Sequence, residues 1–169
     1  LVPASLAGLP IAAGLFRSLP SCGAFLAKPV GLLLVTYVGW LLLSLGPFAN
    51  TRKFHLIILL TMGAVSVTMR YAVPKMRRMR YPSWRKLILG ELLFASVFLG
   101  YALYRARNPE IWGTEKPMDF ALLNGVVHSS TFPPQDPWFS GHSINYYYFG
   151  YAATSAMTWI SGVRPAVAF

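Results

Sequence analysis

Apolar residues run along this chain in five long, nearly unbroken stretches. They cover about Val2–Leu19, Val30–Phe48, Phe54–Val73, Leu87–Tyr104 and Ile144–Val163. At about 1.5 Å of rise per helical residue, each can cross roughly 30 Å of hydrocarbon. A transmembrane barrel would need short segments of alternating polarity, and these runs do not alternate. The predicted class is all-α: a polytopic membrane protein with about five transmembrane helices.

The punctuation agrees. Pro3 and Pro10 interrupt the first run, where Gly8 and Gly14 suit close helix packing. Pro20, Gly23 and Pro29 break the connector that runs from Arg17 to Lys28. Pro47 and the polar Asn50-Thr51-Arg52-Lys53 end the second run, and Pro74 stops the third. His55, near the start of the third run, reads as a headgroup contact. Glu91 lies one turn inside the fourth run. There a carboxylate is either functional or a first-turn acid that favours the helix dipole beside Arg85 and Lys86.

Charge sets an orientation. The net charge is +10 with 55% hydrophobic residues. Seven of the basic residues, Arg70, Lys75, Arg77, Arg78, Arg80, Arg85 and Lys86, fall between the third and fourth runs. That placement is the signature of a cytoplasmic loop facing anionic lipid headgroups, not of nucleic-acid binding. With residues 74–86 inside, ten basic residues lie inside and five outside, so 110–143 is external. Tyr81 and Trp84 are placed to anchor at the membrane surface. Cys22 is the single cysteine, which excludes an intrachain disulfide and a cysteine zinc site. The chain begins at Leu1 without a basic n-region and reads as a fragment of a larger membrane protein. Its expected parts are 1–109 with four spans, 110–143 as an external loop, and 144–169 with the fifth span.

The polar chemistry is concentrated in 110–151, which holds four of the five acidic residues and two of the three histidines. Asn108-Pro109 ends the fourth helix. Pro117 then fits the first turn of a new helix, with Asp119 in the same turn. Met118, Leu122, Leu123, Val126 and Val127 share one face, predicting a short amphipathic helix on the membrane surface. Glu115 and Asp119 are four apart and point the same way. This pair can act as a general base, hold a divalent cation with other oxygens, or cap the helix and pair with Lys116, Arg105 or Arg107. Three prolines then fix an extended path from Phe132 to Trp138, with Asp136 held out of helical geometry by Pro137. His142 sits in a Ser-Gly-His turn and is suited to phosphate contact or proton transfer. Asn145, Tyr146, Tyr147 and Tyr148 open the fifth run, as an aromatic belt or as a surface that stacks on a sugar ring.

The stretches NPEIWGTEKPMDFALLN and FPPQDPWFSGHSINYYYFGY resemble the YYY membrane protein family, uncharacterised polytopic proteins with a tyrosine triplet. The upstream LAKPVGLLLVTYVGWLLLSLG is similar to that family too. The layout in turn resembles the GT-C superfamily of membrane glycosyltransferases. Those enzymes carry an acidic residue in the first large external loop and take a sugar from a polyprenyl-phosphate carrier with inversion. The resemblance implies Asp119 or Glu115 as the base toward an acceptor hydroxyl. Lys116, His142, Arg105 or Arg107 would hold phosphate. Tyr146, Tyr147 and Tyr148, with Asp136 and Asn145 nearby, would line the sugar or lipid path. A divalent cation would serve the departing phosphate, and no other cofactor is implied. The alternative is a non-catalytic scaffold or assembly subunit. A transporter fits less well, because only Glu91 is ionisable within a span.

Overall fold

The computed structural model describes residues 2–77 and 82–169, without the side chains of Val2, Pro20, Lys75 and Arg77. Arg78 and Arg80 of the basic loop, and Tyr81, expected as an interface anchor, lie outside the described residues.

Among the described residues, three helices are long and apolar enough to cross a membrane. They are α2 (Ala27–Leu45), α3 (Arg52–Ala72) and α5 (Trp84–Ala106), which match the second, third and fourth expected spans. A shorter helix, α1 (Val2–Leu15), precedes a 3-10 segment (Pro20–Leu26). Beyond α3 come a single turn, α4 (Pro74–Arg77), and, after α5, three helices: α6 (Lys116–His128), α7 (Phe149–Ser161) and α8 (Pro165–Ala168). The described residues form no named strand, only an isolated bridge between Gln135 and Ser143.

Helix α1 lies between α2 and α3. Its backbone meets α2 where neither helix carries a side chain: a Cβ on Gly31 would fall 1.7 Å from the Ala4 carbonyl oxygen, and one on Gly8 2.1 Å from that of Ala27. This is small-residue packing of the kind membrane helices use. Gly14, expected to do the same, meets only the end of the Met76 side chain at 3.5 Å. On the other side the Ser66 hydroxyl of α3 donates to the Ala7 carbonyl of α1. Helices α2 and α3 approach each other near Gly39, whose added Cβ would touch Phe54 at 3.8 Å.

The fifth expected span is different. Helix α7 has 13 residues, about 20 Å of length, short of the roughly 30 Å a crossing needs. Phe149 at its start stacks edge-on against Trp40 of α2. Gly162 at its end lies beside the Arg52 guanidinium, at the start of α3. The helix therefore does not run the length of α2 and α3. It packs with α6 and α8 over one end of them. Tertiary bonds keep its first residues out of the helix: Ile144 N–H donates to the Pro134 carbonyl and Trp40 Nε1–H to the Tyr148 hydroxyl.

Helix α6 starts where Pro117 and Asp119 predicted. Its apolar face is not laid on lipid, however. Leu122, Leu123, Val126 and Val127 are buried in the protein, in one core with Phe54, Ile58, Phe132, Ile144 and Ala152. Asn50, in the α2–α3 connector, fastens this layer down. Its side-chain amide donates to the Val126 and Ser129 carbonyls, each at 2.9 Å, and its backbone N–H to the Ser130 carbonyl at 2.7 Å. The first two are unpaired carbonyls of the α6 C-terminus, and the third belongs to the turn that follows it. Asn50 Oδ1 in turn bonds His55 Nε2 at 2.8 Å. His55 is thus a buried partner of Asn50, correcting its expected role at the headgroups.

Candidate functional site

The two ends of α6 differ. The C-terminal end is clamped by Asn50; the N-terminal end carries the acids. Gly113 and Thr114 turn the chain through left-handed conformations, φ 111° and 51°, and deliver Glu115 as the residue just before α6. Asp119 N–H donates to the Glu115 carbonyl at 2.8 Å, closing the first turn with both carboxylates on it. Glu115 is exposed and Asp119 half-buried. The Tyr151 hydroxyl, from the first turn of α7, donates to Asp119 Oδ1. Sequence reasoning did not single out Tyr151; its place at the end of the INYYYFGY motif was the available signal.

The tyrosine triplet immediately precedes α7, the helix that carries Tyr151. Tyr146 and Tyr147 have ring centroids 3.8 Å apart, and the Tyr146 hydroxyl donates to that of Tyr147. That bond, with burial and then the charges of Glu115 and Asp119, pushes the Tyr146 phenol up to about 12. It therefore stays protonated at neutral pH and does not serve as a base. Tyr148 turns the other way, stacked on buried Phe132 with centroids 6.0 Å apart and bonded to Trp40. Together Tyr146, Tyr147, Tyr148 and Phe149 face Tyr37 and Trp40 of α2 across a recess of about 430 Å³. Tyr37 and Trp40, which lie within the second apolar run, form its second wall.

The remaining expected site residues are more scattered. Lys116 is the first residue of α6, half-buried between the two acids in sequence. Asn145 is exposed, next to Tyr146. Asp136 Oδ1 accepts from the backbone N–H groups of Trp138 and Phe139 at 2.8 and 3.1 Å, so one of its oxygens holds the loop together. His142 is exposed and stacks on Phe139, centroids 4.2 Å apart, in that same loop. Its carbonyl accepts from Asp136 N–H. Arg105 folds back on its own connector, bonding the Asn108 carbonyl and, at 3.5 Å, that of Glu110. Arg107 is exposed at the end of α5. Helix α5 makes no packing contact with α6 or α7, so the structure does not bring Arg105 and Arg107 to Asp119. Among the described residues no three His, Cys, Asp or Glu side chains gather as a metal site. Glu115 and Asp119 would hold a divalent cation only with further oxygens from water or substrate.

The family described as Uncharacterized membrane protein (DUF2298) matches residues 34–169. The chain belongs to this family. The DUF2298 match takes in the Asn50 clamp, Asp119 and both walls of the recess. No match was found among curated proteins or among solved structures.

Proposed function

We propose that this DUF2298 chain carries the external site of a GT-C-like glycosyltransferase, which moves a sugar from a polyprenyl-phosphate carrier to an acceptor hydroxyl. One observation carries the reading. A carboxylate oriented by a phenol, Asp119 on Tyr151, joins α6 to α7, and the Tyr146–Tyr148 segment that leads into α7 walls an aromatic recess against Tyr37 and Trp40 of a membrane helix. Aromatic rings suit a sugar face and a prenyl chain alike. The carboxylate suits the hydroxyl to be activated.

In this mechanism the acceptor O–H loses its proton to Asp119 as its oxygen attacks the anomeric carbon. The bond from that carbon to the phosphate oxygen breaks on the opposite face. The electron pair leaves with the phosphate, so the configuration inverts. Phosphate leaves readily and needs no strong general acid. Lys116, at the head of α6, is the nearest cation in sequence for its charge. Asp119→Asn should lower transfer by about 10²–10⁴ while the protein still inserts and folds. Normal turnover by both Asp119→Asn and Glu115→Gln in the full-length protein would remove the reading.

The same proposal fixes the sidedness. With α7 held at one end of α2 and α3, Arg164 joins the outer group, and basic residues number nine inside and six outside. The orientation with residues 74–86 cytoplasmic and the Asp119 site external still wins. Single cysteines at exposed Ser83 and Ser130, with Cys22 replaced, should label with an impermeant reagent on intact cells only at Ser130. Labelling at Ser83 alone would reverse it.

A further inference from the structure

We propose that the groove between α1 and α5, at the end of the molecule away from Asp119, binds an anionic phospholipid of the leaflet on the basic-loop side. The groove has a volume of about 810 Å³ and is lined by both helices and the 3-10 segment between α1 and α2. It exists because α5 stands off from the bundle. None of the residues of α5 is buried, and its packing contact with another helical element is the 3-10 segment. That contact is set by Gly90, where a Cβ would lie 2.3 Å from the Phe25 ring. The aromatic ring thus rests on bare helix backbone and props α5 away from α1.

The groove has a charged mouth and an apolar bore. Lys28, from the first turn of α2, reaches in until its Nζ is 2.5 Å from Glu91 and 4.4 Å from the centre of the Phe94 ring. Only 15% of its side chain is exposed, so a cation is fixed inside the mouth. Lys86 lines the same mouth and Arg85 is its neighbour in sequence. Two cations, Lys28 and Lys86, stand there against Glu91, and Arg85 and the rest of the basic connector precede Lys86 in sequence. Beyond them the lining is Leu6 and Leu9 of α1 and Leu93, Phe94 and Val97 of α5.

The length of the bore identifies the occupant. From Lys86 to Val97 is eleven residues of α5, about 16 Å at about 1.5 Å each. Half of a hydrocarbon core of roughly 30 Å is about 15 Å. The groove is therefore one leaflet deep, with its cations at the headgroup level. A flexible acyl chain fits. A zwitterionic lipid brings its own cation to Lys28 and Lys86, whereas an anionic one does not, so the mouth selects an anionic phosphate.

The experiment is native mass spectrometry of the delipidated full-length protein, titrated with phosphatidylglycerol or phosphatidylcholine. Phosphatidylglycerol should be retained at lower concentration. Lys86→Gln should weaken its retention about fivefold, as for one basic residue near an anionic surface, and leave phosphatidylcholine unchanged. Leu93→Trp, which fills the bore, should lower retention of both. Thermal unfolding shows that each variant is folded. Equal retention of the two lipids by the unaltered protein would overturn the proposal, as would a Lys86→Gln variant that keeps its preference. So would a photo-crosslinker at Leu89 that traps a polypeptide segment instead of lipid. The groove and the Asp119 site lie at opposite ends of α2, so loss of sugar transfer and loss of lipid selectivity are separate results.

Discussion

The Tyr151 hydroxyl donates to Asp119 Oδ1 at 2.5 Å, joining the first turn of α7 to the first turn of α6 across 32 residues. A carboxylate on a short, exposed turn has several rotamers. A phenol bonded to one oxygen selects among them and leaves the other oxygen directed elsewhere. Among the described residues, Asp119 Oδ2 has no hydrogen-bond partner. Tyr151→Phe removes the bond and keeps the ring. Stability should fall by about 0.5–1.5 kcal/mol, as for a single hydrogen bond. If Asp119 is the base, turnover should fall while apparent substrate affinity is retained. The check is steady-state transfer with thermal unfolding of the same sample. Unchanged turnover at saturating substrate would show that Tyr151 does not position the base.

A different residue holds the site in place. Asn50 is 5% exposed and bonds three elements: the α6 C-terminus, the Ser129–Ser130 turn and His55. Asn50→Leu would leave buried carbonyls and His55 without their partner, each unsatisfied group costing about 1–3 kcal/mol. We expect a drop in thermal stability of at least that size in detergent. Protease should cut between Ser129 and Ser143 sooner than in the unaltered protein. A variant as stable as the parent would mean that water replaces the amide and that the layer is fastened by apolar burial alone.

Much of the framework was legible from residue patterns. The apolar periods of α2, α3 and α5 survive in the structure because each is a property of its own segment. The start of α6 was legible for the same reason: Pro117 and Asp119 act within one turn. The Asn50 clamp was not, since a lone Asn that caps a helix 76 residues away leaves no local pattern. The recess was half legible. Tyr146 to Tyr148 announce themselves, but Tyr37 and Trp40 look like any aromatic residues in a span. The extent of the last helix was misjudged because hydropathy continues through Ile144–Phe149 while the backbone does not. There the bonds to Pro134 and Trp40, which are long-range, outweigh helix propensity.

Glycines offer a test of how α1 docks. Gly31→Ala puts a Cβ where the Ala4 carbonyl stands, so the backbones must separate. Overpacking of this kind costs about 1–3 kcal/mol. Gly63→Ala and Gly100→Ala place a methyl group in open space on lipid-facing helices and should be neutral or slightly stabilising. Thermal unfolding of the three variants in one detergent decides the matter. If Gly31→Ala is as benign as the other two, α1 does not contact α2 through this seam.

The tyrosine triplet separates structure from chemistry most sharply. The triplet precedes α7, so the 100° spacing of helical residues does not govern it. Instead Tyr148 turns into the core and Tyr146 and Tyr147 pair at the surface. The three hydroxyls therefore have different tasks. Tyr148→Phe leaves Trp40 Nε1–H without its acceptor in a half-buried place, so it should lower stability by about 0.5–1.5 kcal/mol. Tyr146 and Tyr147 are 41% and 74% exposed, so their Phe variants should leave stability unchanged. An aromatic belt needs only amphipathic rings at the headgroup level and tolerates those variants in every assay. A sugar or lipid-phosphate site does not, because it uses a hydroxyl in a fixed position. The pH dependence gives a second readout. The Tyr146 pKa is raised to about 12, so its bond to Tyr147 is intact below the ordinary tyrosine value near 10 and is lost as pH climbs through about 12. Burial and the bond to Asp119 raise the Tyr151 phenol as well, so tyrosinate absorbance should show two late-titrating phenols, of which Tyr147→Phe moves only the Tyr146 one to lower pH. The functional measurement is transfer from a polyprenyl-phosphate sugar by each single Phe variant of the full-length protein, and we expect Tyr146→Phe or Tyr147→Phe to slow it with no change in melting temperature. If both turn over normally, the pair is a belt, and Asp119 then lacks an aromatic partner for its substrate.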